Sequence, residues 1–152
     1  VLAEDNFMQP CNASIMVIGM GRVGMGAYHA LNNHLEKQVW GIDADKEKVL
    51  WLNKEGVKAY YGDAEDAYFW ESIDLSKLEL VLLALPSVQD SMHITAQLKL
   101  ANYPGKIAAI ARFDDEREKL QAYGIDKVFN FYSEAGVGFA EESINLVKGQ
   151  LA

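Results

Sequence analysis

Cysteine is almost absent from this chain of 152 residues, in which Cys11 stands alone. A single cysteine cannot form a disulfide within the chain, so the sequence excludes the small disulfide-rich class of secreted proteins. It equally excludes a metal site built from several thiolates. We therefore expect the protein to work in a reducing, cytoplasmic compartment.

Basic residues and long apolar runs are also scarce. The 14 Lys+Arg face 22 Asp+Glu, which gives a formal net charge of −8. Such a charge argues against nucleic acid and against an anionic membrane surface as partners. The longest apolar run, over residues 80–85, has the length of a strand rather than the roughly 20 residues that span a bilayer. The length predicts one domain, too small for a nucleotide-binding unit plus a separate catalytic domain.

Histidines offer no obvious catalytic or metal site. His29 and His34 stand five positions apart on one predicted helix, and His93 is isolated. These spacings do not converge on a metal ion. We assign no catalytic residue and no metal ligand from the sequence.

The apolar pattern alternates between strand-like and helix-like stretches along the whole chain. Strands are predicted at 14–18, 38–42, 57–61, 80–85, 106–111 and 127–132. Helices are predicted at 22–36, from 46 to a stop at Gly56, around 66–73, and at 87–102, 114–123 and 133–149, the last interrupted near Gly136 and Gly138. The alternation predicts an α/β fold, a doubly wound Rossmann-like domain over 14–150 with a six-stranded parallel sheet of order 3-2-1-4-5-6. We interpret residues 1–13 as the end of a linker.

The stretch 14–24 joins a predicted strand to a glycine fingerprint and then to a helix. In such a unit Gly19 makes the sharp turn, Gly21 lets the backbone approach a phosphate, and Gly24 lets the helix lie close to the strand. The free N–H groups and partial positive charge of the helix N-terminus then favour a pyrophosphate. Glycines also end strands for purely structural reasons, so the motif alone leaves both interpretations open.

Acidic residues follow two of the predicted strands. Asp43 lies 24 residues beyond Gly19, close to the roughly 20-residue interval expected for a carboxylate that accepts hydrogen bonds from ribose hydroxyls. A carboxylate there would repel a 2′-phosphate, so the sequence favours an NAD-like ligand or a simple adenine nucleotide over NADP. The alternative is a helix-capping or turn aspartate. Asp63 has the same two interpretations, a ligand-binding or a turn aspartate, because Gly-Asp is a common turn pair.

Two arginines are candidate anion-binding residues: Arg22 lies inside the predicted phosphate loop, and Arg112 ends a predicted strand. Arg22 can make bidentate bonds to phosphate, hold an acid of a neighbouring subunit, or lie in solvent without a role. Arg112 can pair with the acids at 114–116, bind an anionic ligand or contact another subunit. The sequence does not decide between these alternatives.

The joint order of motifs resembles the RCK or KTN (TrkA-N) domain, and within that family the Kef-type glutathione-regulated potassium-efflux antiporters. The resemblance covers about residues 14–148 and is carried by Gly19-Met-Gly21-Arg22-Val-Gly24, Gly-Ile-Asp43-Ala-Asp45, Tyr61-Gly62-Asp63-Ala64, Ile110-Ala111-Arg112 and Glu134-Ala-Gly136. It implies a regulatory domain that binds NAD(H) or AMP, forms a homodimer and gates a membrane transport domain preceding it in the same polypeptide. The location implied is the cytoplasmic side of the inner membrane.

The resemblance also implies roles for particular residues. By this resemblance the phosphates are bound by Gly19, Met20, Gly21, Arg22, Val23 and Gly24. The ribose is bound by Asp43 with Ala44, and the adenine end by Asp63 with Ala64, beside the strand end at Ala84 and Leu85. Arg112 falls where Kef-type proteins are expected to contact glutathione conjugates. This chain departs from the Kef pattern in having Phe113 and a run of acids after that arginine.

Two other functions remain open from the sequence. The first is a small NAD-dependent oxidoreductase or its cofactor-binding half. The second is a dimerisation module that has lost its ligand, which should also lose Asp43 and the glycines, yet both are present.

Overall fold

The structure is a computed structural model that describes residues 12–149. Cys11 and nearly all of the predicted linker end therefore lie outside the described residues. Within the described range, none of the helices combines the length and the apolar character that crossing a bilayer requires.

A single sheet of six strands organises the described chain, and every neighbouring pair in it is parallel. Its order is β3-β2-β1-β4-β5-β6, as predicted. The strands are β1 (Ile15–Ile18), β2 (Val39–Asp43), β3 (Ala59–Tyr61), β4 (Leu80–Leu83), β5 (Lys106–Ala111) and β6 (Lys127–Asn130).

Six α-helices connect and follow these strands. They are α1 (Arg22–His34), α2 (Lys46–Lys54), α3 (Ala67–Glu71), α4 (Val88–Leu100), α5 (Asp114–Ala122) and α6 (Phe131–Val147). A short 3₁₀ turn at Leu75–Lys77, which the sequence pattern did not predict, leads into β4.

The central strand β1 is buried on both faces, which is why it is apolar at every position. Ile15 and Val17 join one core with residues of α1 and α2, among them Tyr28 and Leu52. Met16 and Ile18 join the opposite core with residues of α3, α4 and α5. The strand order reverses at β1, with β2 on one side of it and β4 on the other, and the crevice at such a point is where α/β sheets bind ligands.

The end of the chain differs from the prediction. The sixth strand stops at Asn130 rather than at 132, because the Asn130 side chain accepts a hydrogen bond from the N–H of Ser133 (3.1 Å) and caps α6. The predicted interruption of the last helix is wrong, since α6 runs unbroken through Gly136 and Gly138. A glycine inside a helix costs only about 1 kcal/mol, which the rest of a 17-residue helix tolerates.

The last helix is also the least packed. No residue of α6 is buried in the described chain, and Phe139 and Leu146 are 77% and 74% exposed. Apolar side chains at such positions make α6 an unusual surface helix for an isolated domain.

Candidate functional site

The turn after β1 is possible only because of two glycines. Gly19 has φ +92°, and a Cβ there would lie 2.7 Å from the carbonyl oxygen of Ala84 and 2.8 Å from a methyl carbon of Leu85. At Gly24 a Cβ would overlap the carbonyl oxygen of Gly19. The first glycine therefore makes the turn and the second lets α1 close onto it.

Gly21 differs from the other two. A Cβ built on it would meet no atom of the described chain within 4 Å, and its φ of −77° is open to any residue. The space beside Gly21 is therefore a cleft rather than a packing contact. Neither steric fit nor backbone strain within the domain explains a glycine here.

The N-terminus of α1 has no capping side chain. Gly21 is the N-cap, the first turn has no acidic residue, and the first main-chain bond runs from Met25 N–H to the Gly21 carbonyl. In the described chain, side chains of Asp45, Asp66, Ser87 and Asn130 cap α2, α3, α4 and α6. The N–H groups at the beginning of α1 are thus free to bind an anion.

Asp43 connects this turn to the next one. Its Oδ2 accepts a hydrogen bond from the N–H of Met20 (2.9 Å), and its Oδ1 accepts one from the N–H of Asp45 (2.9 Å). The ammonium of Lys48 lies 3.4 Å from Oδ2. Asp43 does act as a turn aspartate, but Asp45 caps α2, and the bond to Met20 crosses from the end of β2 to the glycine turn.

A cleft of about 220 Å³ opens between the ends of β1, β2 and β3 and the beginning of α4. Six of the predicted site residues line it: Gly19, Asp43, Ala44, Asp63, Ala64 and Leu85. The sequence did not predict its other lining residues, which are Ile18, Ile42, Gly62, Glu65, Asp90 and Ile94. Three isoleucines and a leucine can hold a flat apolar group, and the four carboxylates beside them can bind neutral hydroxyls while they disfavour an added anion.

Asp63 shapes the loop on the β3 side of this cleft. Its Oδ1 accepts a hydrogen bond from the N–H of Glu65 (2.9 Å), as in a turn. Glu65 in turn lies 3.0 Å from Nδ1 of His93 on α4, while the carbonyl of Ala64 accepts from the Trp70 indole N–H (2.7 Å). The loop is thus held from three sides.

Arg22, at the beginning of α1, and Arg112, directly after β5, line a second cleft of about 260 Å³. Arg22 and Val23 stand on one side of it, and Arg112 stands with Glu116 at the end of β5. Nη2 of Arg112 lies 3.7 Å from Oε2 of Glu116, and the Arg112 N–H donates to Oε1 (2.9 Å). Arg112 therefore pairs with an acid of the next helix, which was one of the predicted alternatives. It also lines the same cleft as Arg22. Phe131 and Tyr132 complete the lining, which the sequence did not signal because both were assigned to a strand.

No group of three or more His, Cys, Asp or Glu side chains in the described range is arranged to hold a metal ion. Three acids of the 220 Å³ cleft, Asp43, Asp63 and Glu65, instead contact backbone N–H groups, Lys48 or His93.

Comparison with known proteins gives a family and several relatives. The TrkA-N domain model matches residues 15–131. The glutathione-regulated potassium-efflux system protein KefC of Escherichia coli is 30% identical over 114 residues, which is 74% of this chain and 18% of KefC. The KefC of Escherichia fergusonii matches equally well. The chain thus spans about a fifth of the length of the curated relatives it matches.

Solved structures share the fold. The NAD(P)-binding domain of an exopolyphosphatase-related protein from Archaeoglobus fulgidus superposes with a TM-score of 0.80 at 22% identity, covering 88% of this chain and 98% of that one. The TrkA-N domain of the inner membrane protein ybaL from Escherichia coli gives 0.75 at 24% identity over the same shares. The GsuK channel bound to NAD gives 0.69 at 18% identity, covering 78% of this chain and 21% of the channel chain. With the predicted strand order, the glycine turn and the family model over most of the described residues in agreement, this chain belongs to the TrkA-N domain family.

Proposed function

We propose that this chain is a ligand-sensing regulatory domain of a potassium transport protein, that it binds NAD(H) or AMP, and that it catalyses no reaction. The observation that carries the proposal is the hydrogen bond from Met20 N–H to Asp43 Oδ2 (2.9 Å), which ties the glycine turn to the carboxylate beside it. One small ligand bridging a phosphate at the turn and a ribose at Asp43 would engage both.

The site residues suit the three parts of an adenine nucleotide. The uncapped N-terminus of α1 at Gly21, with Arg22 beside it, suits phosphate. Asp43 suits the ribose hydroxyls, and the apolar side chains of Ile18, Leu85 and Ile94 suit the face of the adenine ring. Asp63 and Glu65 at the far end disfavour an additional phosphate.

The names of the relatives support the physiological context. KefC is named as a glutathione-regulated potassium-efflux protein, ybaL as an inner membrane protein, and GsuK as a channel bound to NAD. By analogy, we propose a membrane transport domain preceding this chain in the same polypeptide, with this domain on the cytoplasmic side of the inner membrane. A nucleotide that binds one arrangement of the assembly more tightly shifts its population, and only that difference in affinity can gate transport.

The uncovered surfaces support a homodimer. An apolar groove of about 460 Å³ lies between α1 and the β4–β5–β6 half of the sheet. Its apolar lining comes from Val23, Ala27, Leu82, Leu83, Ala84, Ala108, Ala109, Ile110, Phe129, Phe131 and Ala135. The same chain has an unburied apolar helix in α6, so the α6 helix of a second copy offers the matching surface for the groove. Arg112, at the edge of this region, then faces either an anionic ligand or the other subunit.

The ligand proposal is tested by calorimetric titration with NADH, NADPH, AMP and ATP. We expect NADH or AMP to bind more tightly than NADPH, and Asp43→Ala to weaken both by about tenfold or more, because hydrogen bonds to a charged group are lost. Asp115→Ala, on the exposed first turn of α5, is the matched control and should change nothing. Equal affinity of the wild type for NADH and NADPH would overturn the role given to Asp43. Hydride transfer from NADH to a carbonyl substrate by the purified chain would favour the oxidoreductase instead.

A further inference from the structure

The environment of Asp43 leaves little room for a ribose diol. A carboxylate offers about four lone-pair positions. The N–H groups of Met20 and Asp45 each take one, at 2.9 Å, and the ammonium of Lys48 approaches a third at 3.4 Å. Two ribose hydroxyls that both donated to Asp43 would need one position more than remains.

Lys48 removes this shortage. Its ammonium has three N–H donors, one of which reaches Oδ2 of Asp43 (3.4 Å). A hydroxyl both donates and accepts, so one ribose hydroxyl can donate to Asp43 while the oxygen of its neighbour accepts from Lys48. A carboxylate beside an ammonium thus matches a vicinal diol with one acceptor and one donor.

The position of Lys48 follows from the cap of α2. Asp45 accepts a hydrogen bond from the N–H of Lys48 (3.2 Å), which fixes the first turn of the helix and directs Lys48 back towards the end of β2. The Lys48 side chain is 38% exposed, whereas that of Asp43 is 12% exposed. The ammonium is therefore the more exposed member of the pair, and it contacts the carboxylate that lines the cleft.

We infer that Lys48 is the second ribose-recognition residue of this site, and that the Asp43–Lys48 pair sets the choice between a free 2′-hydroxyl and a 2′-phosphate. This inference rests on the proposed nucleotide function. With Asp43 ionised, its negative charge excludes a 2′-phosphate and Lys48 serves the hydroxyl. With Asp43 made neutral, Lys48 becomes an unpaired cation at the 2′ position and attracts the phosphate.

The test compares 5′-AMP with adenosine 2′,5′-bisphosphate by calorimetry, using the wild type, Lys48→Met, Asp43→Asn and the double variant. Lys48→Met should weaken 5′-AMP by about two- to tenfold, the range expected for one hydrogen bond. Asp43→Asn should shift the affinity ratio towards the bisphosphate by about tenfold or more, and the double variant should lose most of that shift. Asparagine keeps one acceptor oxygen and replaces the other with an NH2 donor, so this variant retains one of the two backbone hydrogen bonds that Asp43 accepts.

Lys54→Met is the matched control, because Lys54 lies in the last turn of the same helix and carries the same charge. It should bind both ligands as the wild type does. The inference would be overturned if Lys48→Met bound 5′-AMP as tightly as the wild type. It would also be overturned if Asp43→Asn shifted the affinity ratio equally with and without Lys48. Either result would leave the proposed nucleotide function standing. If the wild type bound neither 5′-AMP nor NADH, the proposed function itself would fail. Melting temperatures without ligand show whether each variant is folded.

Discussion

Each glycine of the fingerprint has its own reason to be glycine. At Gly19 a side chain is excluded by the positive φ and by the carbonyl of Ala84, and at Gly24 by the carbonyl of Gly19. At Gly21 a side chain would only enter the open cleft. A substitution at these positions should therefore affect different properties. Substitutions at Gly24 and Gly19 should lower the stability of the fold, whereas a substitution at Gly21 should change which ligand the cleft can bind.

At Gly24 the expected effect is a loss of stability. Gly24→Ala should lower the free energy of unfolding by about 2–3 kcal/mol, since a Cβ would overlap the Gly19 carbonyl and force α1 away from β1. Urea denaturation measures it. Gly26→Ala is the control on the same helix, with nothing of the described chain within 4 Å of the added Cβ, and it should stabilise the chain by about 0.5–1 kcal/mol. Similar losses for both variants would contradict the close approach at Gly24.

At the same scale, sequence reasoning found Asp43 but not its full environment. The interval from Gly19 pointed to the residue, yet the bond to Met20 N–H joins positions 23 apart and depends on how two strand ends meet. Glu65 and Asp90 reach the same cleft from a loop and from the first turn of α4, so only the folded topology brings them together. The one local signal for Lys48 was its position three residues after the capping Asp45.

Among the elements, the strands were easier to predict than their ends. The buried strands are continuous apolar runs, and alternation with helices makes a parallel sheet of this order the natural solution. The predicted end of the sixth strand was wrong because the apolar residues after Asn130 fit a strand and a helix equally well. The capping hydrogen bond from the N–H of Ser133 to the Asn130 side chain decides for the helix. In α6 the glycines suggested a break that the unbroken helix tolerates.

The turn between α4 and β5 gives a pH prediction. The Tyr103 hydroxyl donates to the carbonyl of Lys106 (2.8 Å), and burial, followed by the charges of Asp126 and Glu79, raises the pKa of Tyr103 well above its ordinary value. The unfolded chain then loses this proton first, near pH 10, while the folded chain keeps it. The stability that Tyr103 contributes is therefore complete below about pH 10 and is lost as the pH rises above it.

Urea denaturation between pH 8 and pH 11 measures this loss. Tyr103→Phe should show a shallower decline above pH 10 than the wild type, because no proton remains to be released at this turn. Tyr68→Phe replaces an exposed tyrosine and should decline as the wild type does. Parallel curves for Tyr103→Phe and the wild type would contradict the shifted pKa.

At the scale of the whole molecule, the proposed homodimer pairs the apolar groove of one copy with the exposed apolar side chains of α6 of the other. Phe139 and Leu146 are seven residues apart and so lie on one side of the helix. Replacing both with serine should leave the fold of a single copy intact, because neither is buried within it, and should abolish the homodimer. Light scattering after gel filtration measures the mass.

Leu100→Ser is the control for this pair, since Leu100 is 78% exposed on α4, away from the groove. It should keep the dimer mass of the wild type. A wild type that ran as a monomer at high concentration, or a dimer that survived both serine substitutions, would refute this assembly.

The bare N-terminus of α1 has a consequence for the lifetime of the molecule. A glycine in place of a capping side chain withholds only a few tenths of a kcal/mol, so an anion bound at Gly21 would stabilise the fold mainly by its own binding energy. If the proposed ligand binds, the empty domain should be the form that opens more often and is degraded sooner. Under the proposed function, a rise in melting temperature on titration with nucleotide would correspond to slower turnover in a growing cell. The nucleotide would then set the amount of this domain as well as its conformational state.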